Sequence, residues 1–86
     1  MASVNRKIRL IWDFYGGDAL KTAEHHEIHL KQFMLKEAID YDLTGTEESI
    51  EMHAIAYMTV NEDDVQILRD ALRPNRAFVD NTLSED

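Results

Sequence analysis

The sequence contains no cysteine, and it has one proline and three glycines among its 86 residues. The lack of cysteine excludes disulfides, thiolate metal sites and cysteine nucleophiles, and it fits a reducing cytoplasm, where we expect the protein to reside. No apolar run approaches the roughly 20 residues that a membrane-spanning helix needs. The first apolar stretch is interrupted by Arg9 and Asp13, which is not typical of a signal peptide.

Positive charge is also scarce in this chain. Nine Lys and Arg residues against 17 Asp and Glu residues give a formal net charge of −8. Nucleic acids and anionic membranes are held largely by cations, so we expect neither of them as a partner. Tyr15 and Tyr57 could stack RNA bases, but the charge balance argues against that function.

Two segments, 8–15 and 50–60, alternate strictly between apolar and mixed positions. A period of two predicts β-strands that each bury one face. The even-numbered side chains are the apolar ones in both segments, so we expect them to face a shared core. They are Ile8, Leu10, Trp12, Phe14, Ile50, Met52, Ala54, Ala56, Met58 and Val60.

Helical periodicity is present in two other segments. Gly16-Gly17 predicts a turn, and Asp18 is placed to cap a helix that continues to about Ala38. Asn61, with Asp64 three residues later, resembles a capping box at the start of a second helix that Pro74 ends. The predicted buried stripes consist of Leu20, Ala23, Leu30, Met34 and Ala38 on the first helix and Val65, Leu68, Ala71 and Leu72 on the second.

The remaining segments complete an α+β domain. Residues 39–44 predict a short strand, residues 45–49 a turn, and residues 76–80 a possible short last strand. The order βαββα with a possible final strand predicts a ferredoxin-like two-layer sandwich, with two helices on one face of an antiparallel sheet. The alternative is a three-stranded domain with 76–80 as a tail. We expect residues 1–86 to form a single domain, ordered from about residue 4 to about residue 80, with a flexible acidic tail over 81–86.

Two helices cover only one side of such a sheet, so the other side is the predicted binding face. Exposed isoleucines and tyrosines there would form an apolar patch, which monomers seldom leave open. We therefore expect a non-catalytic interaction or ligand-sensing module that acts as a homodimer, with an unidentified small-molecule ligand possible. The dimer would form through this face or through the shoulder of the first helix, at Ile28 and Leu35. The predicted face consists of Arg9, Ile11, Tyr15, His53, Ile55 and Tyr57.

The alternative function is a small cofactor-free enzyme with an acid–base site on the same face. His53, Tyr57 and Asp13 would form that site if the strands are suitably registered, although their spacing is not a known motif. His25 and His29 lie one helical turn apart and are weak candidates for a metal site, because they supply two ligands where three or four are needed. We expect no cofactor. His26 is predicted to be half-buried and bonded to a backbone carbonyl.

Overall fold

The computed structural model describes residues 6–50 and 52–79, and the predicted acidic tail over 81–86 lies outside this range. Within it, no helix is long and apolar enough to cross a membrane. A short 3-10 turn, Glu62–Asp64, precedes the second helix. The strands are β1 (Lys7–Tyr15), β2 (Tyr41–Ile50), β3 (His53–Asn61) and β4 (Arg76–Val79), and the helices are α1 (Ala19–Glu37) and α2 (Val65–Leu72).

The four strands form one sheet in the order β2-β3-β1-β4, and every neighbouring pair is antiparallel. Both helices contribute to a single core against the even-numbered side of β1 and β3. The domain is therefore α+β and consistent with a two-layer sandwich. Residues 76–79 are a strand paired with β1, so the three-stranded alternative is wrong.

The even-numbered side chains of β1 and β3 face the core, as predicted, wherever the two strands pair with each other. We call this orientation the parity of the strands. Leu10 on β1 and Met58 on β3 lie directly opposite each other, and both are buried. Leu30 and Met34 of α1 and Leu68 of α2 are buried against this side of the sheet. Burial of apolar surface between the two layers is the main stabilising contribution that this geometry provides.

The hairpin between β2 and β3 differs from the prediction. The turn predicted over 45–49 is wrong, because β2 continues through Gly45 to Ile50. The strand predicted to begin at Ile50 begins instead at His53. Met52 lies in the turn with φ 65° and is 54% exposed, so its predicted inward orientation is also wrong. Backbone pairing with β3 overrides the weak strand propensity of this polar segment.

Both predicted helix caps are also wrong in their side-chain chemistry. Asp18 precedes α1, but its side chain makes no capping hydrogen bond among the described residues. Asn61 instead accepts a hydrogen bond of 2.6 Å from Lys7 Nζ through Oδ1. Because the 3-10 turn over 62–64 intervenes, α2 begins at Val65 rather than directly after Asn61. At the other end of α1, Ala38 adopts a left-handed conformation and is exposed, so it does not extend the buried stripe as predicted.

Candidate functional site: the open face of the sheet

The side of the sheet away from the helices is called the open face here, and strand register arranges it in rows. Residues directly opposite each other on antiparallel strands share a face. The six residues of the predicted binding face therefore lie together on this side, although their role in binding stays a prediction. The rows are Phe78, Arg9, Thr59 and Leu43; then Arg76, Ile11, Tyr57 and Gly45; then Asp13, Ile55 and Glu47; and finally Tyr15 and His53.

Exposure across the open face is uneven. Ile11 is only 7% exposed, so its predicted exposure is wrong. It lies in its row between the large side chains of Arg76 and Tyr57, which flank it on both sides. Tyr15, in contrast, is 76% exposed. The more exposed apolar groups of this face thus lie at its margins, where Leu43 and Phe78 belong to the two edge strands.

Asp13 is the centre of a polar cluster on this face. Its carboxylate accepts two hydrogen bonds from Arg76, at 3.0 Å from Nε and 2.7 Å from the second guanidinium nitrogen. His53 Nε2 lies 2.9 Å from Oδ1 of the same carboxylate. The backbone amide of Asp13 donates to the side-chain oxygen of Asn75 at 2.8 Å. The side chain of Asp13 therefore joins three strands, and its backbone amide adds the loop before β4.

Opposing effects act on the charge of Asp13. Burial acts to raise the pKa of its carboxyl, but hydrogen bonds from His53 and Arg76, together with their charges, outweigh it and lower the pKa. Asp13 is consequently held as a carboxylate between two basic groups. The ring of Tyr15 stacks on His53 with ring centroids 4.7 Å apart and an interplanar angle of 24°. Tyr15 therefore packs against one face of the imidazole, while the Nε2 edge of the ring meets the carboxylate.

Tyr57, the third member of the predicted acid–base set, has different neighbours. The guanidinium of Arg9 lies 5.1 Å from the centroid of its ring, a cation–π distance. Its hydroxyl lies over Gly45, where an added Cβ would come within 2.7 Å of Tyr57 Oη. The structure therefore brings His53 and Asp13 into contact, while Tyr57 packs between Arg9 and the glycine of β2.

Sequence reasoning missed Arg76, Asn75 and Phe78 as members of this site. All three lie after the end of α2, within or next to the segment 76–80, for which the sequence predicts only a possible strand. Their contribution depends on the pairing of β4 with β1, which places Arg76 beside Ile11 and within reach of Asp13. An arginine that follows Pro74 was the one available signal, and it does not specify a partner.

The candidate metal pair lies on the other layer. His25 and His29 are exposed on α1, away from the open face. Across residues 6–50 and 52–79, no group of three or more His, Cys, Asp or Glu residues is placed to hold a metal ion. Two imidazoles alone form an incomplete site.

His26 lies under the aromatic side chains of β1. Its ring centroid is 5.2 Å from that of Trp12 and 5.4 Å from that of Phe14. Nε2 is buried without a hydrogen-bond partner in the described part of the chain, so the predicted carbonyl bond is not made at this atom. Burial lowers the pKa of His26, and the charge of the neighbouring His29 lowers it further.

We expect His26 to make the fold less stable in mild acid. A histidine whose folded-state pKa lies below its unfolded-state pKa gains its proton preferentially on unfolding, so stability is lost as pH falls below the unfolded value. Urea unfolding of the wild type and of His26→Gln at about pH 7.5 and about pH 5.5 isolates this contribution. The wild type should lose more free energy of unfolding between the two pH values than the variant. Equal losses would show that His26 has no such effect.

Comparisons with known proteins yield no relative of this chain. A scan against protein-family models, a search of curated proteins and a search of solved structures each found no match. The functional proposal therefore rests on the geometry of the open face. The fold class alone does not specify a function, because one architecture hosts many unrelated functions.

Proposed function

We propose that the protein is a non-catalytic interaction module that acts as a homodimer through the open face. The observation that carries this proposal is the position of the core. Both helices pack on the even-numbered side of the sheet, so within residues 6–50 and 52–79 the odd-numbered side has no covering layer. Phe78 and Leu43 are exposed there, at opposite edges of one row. Partly exposed Ile55 and Tyr57 lie between those edges.

The size of the open face supports a second copy as its occupant. The strands contain nine, ten, nine and four residues. At about 3.3 Å per residue and about 4.8 Å between strands, they present roughly 500 Å² of flat area per copy. Two such faces together present about 1,000 Å², not counting the additional surface of protruding side chains. This area reaches the lower bound for a specific interface.

The charge of the open face also favours self-association. Two chains with a net charge of −8 repel each other unless the surfaces that meet are themselves balanced. Among the described residues, the cations of the open face are Lys7, Arg9 and Arg76, and its acids are Asp13, Asp42 and Glu47. Lys7 pairs with Asp42 at 2.8 Å and Arg76 pairs with Asp13 at 2.7 Å. The open face therefore contributes little to the repulsion between two copies.

Phe78→Glu tests this interface. The substitution places a carboxylate at the exposed margin of the open face, where burial against a second copy would strongly disfavour it. At low protein concentration, multi-angle light scattering should give twice the chain mass of 10.0 kDa for the wild type and the single chain mass for the variant.

Ile67→Glu is the matched control. Ile67 on α2 and Phe78 on β4 are both 52% exposed, so the two substitutions add the same charge at the same exposure on opposite layers. Ile67→Glu should leave the dimer mass unchanged. A wild-type mass of 10.0 kDa at high protein concentration, or equal effects of the two substitutions, would contradict the proposal.

We also infer that the topology is ferredoxin-like. The element order and the central pairing of β1 with β3 support this inference. A ligand-sensing role would place the ligand between the paired faces. Such a role remains part of the proposal.

The acid–base alternative rests on one contact, the 2.9 Å approach of His53 Nε2 to Asp13. Two features favour a structural role for this pair instead. The carboxylate is already bound by Arg76, and Tyr57 has Arg9 and Gly45 as neighbours. In the proposed function, His53 therefore connects β3 with β1, and we assign it no catalytic role.

A further inference from the structure

A groove lies between the last turns of α1 and the start of β2, on the helix side of the molecule. Its volume is about 350 Å³, and its floor includes Met34 and Ile39. Tyr41 lines the groove from β2, and Leu35 lines it from α1. Leu35 is 84% exposed, which makes it the most exposed of the large apolar side chains in the described chain. A protruding leucine therefore lies directly beside an apolar hollow.

We propose that this groove receives Leu35 of a second copy, in a contact distinct from the open-face dimer. A two-fold axis beside Leu35 would place each leucine in the groove of the other copy. Such an interface is self-complementary by necessity, because every residue that contacts the partner is contacted in turn. A knob and a hole side by side on one surface satisfy that requirement.

The charges that line the groove fit the same arrangement. Lys31 lies one helical turn before Leu35, and Asp40 lies just beyond the end of α1. Two-fold symmetry about Leu35 brings Lys31 of each copy towards Asp40 of the other. Among the described residues, Lys31 makes one ion pair, a long one of 3.5 Å with Glu27. In the part of the chain that the structure describes, Asp40 makes no ion pair, so both groups are available to a second copy.

The groove and the open face lie on opposite layers, so the two contacts can form together. Each joins two copies about its own two-fold axis. Because each open-face dimer keeps one groove on each of its two outer sides, further dimers can add through the groove, and the assembly grows beyond the dimer. The groove is small, at about 350 Å³, so this contact should be weak and should form mainly at high protein concentration.

Charge reversal with rescue tests the inference. Light scattering over a wide concentration range would compare the wild type with Lys31→Glu, Asp40→Lys, the double variant and Leu35→Glu. The wild-type mass should rise above twice 10.0 kDa as the protein concentration increases, and each single substitution should hold it at twice 10.0 kDa. The double variant exchanges the two charges and should restore the larger mass, which a purely structural effect would not do. Ile67→Glu, an apolar-to-acidic change on α2, should leave the mass unchanged.

Several outcomes would overturn the inference: a wild-type mass that never exceeds the dimer while Phe78→Glu lowers it to the single chain mass, equal masses for Leu35→Glu and wild type, or no rescue in the double variant. Failure of the open-face proposal looks different. In that case Leu35→Glu alone would give the single chain mass and Phe78→Glu would have no effect. If both contacts form, combining Leu35→Glu with Phe78→Glu should give the single chain mass of 10.0 kDa.

Discussion

Replacing Trp12 by alanine is expected to lower the free energy of unfolding by about 3–5 kcal/mol, the range for truncating a buried aromatic side chain. Trp12 is buried on the even-numbered side of β1, where its ring contacts that of His26. Its indole Nε1 also donates a hydrogen bond of 2.8 Å to the carbonyl of Leu72, at the end of α2. The substitution removes packing against one helix and a bond to the other. Urea unfolding monitored by circular dichroism measures the loss.

Tyr15→Ala is the control on the same strand. Tyr15 has the opposite parity and is exposed, so its removal should cost less than about 1 kcal/mol. The ratio of the two effects tests the parity of β1 directly. Comparable losses in the two variants would mean that the helices do not pack on the even-numbered side.

Asp13→Ala is expected to lower the free energy of unfolding by about 2–3 kcal/mol near neutral pH, since hydrogen bonds to charged groups contribute more than neutral ones. The carboxylate binds Arg76 from β4 and contacts His53 from β3. Its loss removes the side-chain connection between the outer strand and the sheet centre. Glu47→Ala removes an exposed acid from the same face and should change stability by less than about 0.5 kcal/mol.

The effect of Asp13 should depend on pH in a defined direction. Its folded-state pKa lies below the ordinary value of 3.8, so its contribution is present above that value. The contribution is lost as pH falls through the folded-state pKa. Asp13→Asn, which keeps the shape without the charge, should therefore differ most from wild type near neutrality and approach it in strong acid. A difference that stays constant with pH would exclude an electrostatic role.

The parity of the central strands was predictable because alternation is a local property of the chain. Trp12 and Met58 are apolar at even positions, and no knowledge of strand order is needed to place them inward. The extent of α1 follows from helical periodicity in the same way. These elements bury their apolar sides largely as the pattern indicates.

The hairpin was not predictable in this way. Gly45 lies among polar residues, and this pattern predicts a turn. In the structure Gly45 is part of β2, and the side chain of Tyr57 lies over it. A residue of β3 thus accounts for a glycine that precedes it by 12 positions. Local propensity contains no information about such a cross-strand neighbour.

The polar cluster on the open face depended on register in a similar manner. Asp13 and His53 were both recognised as candidates, because each lies on the odd-numbered side of a predicted strand. Arg76 was not, because a four-residue strand gives too short a pattern to fix its pairing. Long-range pairing decided which charges meet.

The most direct test of the open face is a mixed-label nuclear Overhauser experiment, in which one half of the protein is isotope-labelled and the other half is not. Cross-peaks filtered for contacts between copies should connect Leu43, Ile55 and the ring of Phe78 on one copy with open-face protons of the other. If intermolecular cross-peaks arise only from the α1 side, or are absent where the protein is dimeric by mass, the open face is not the principal interface.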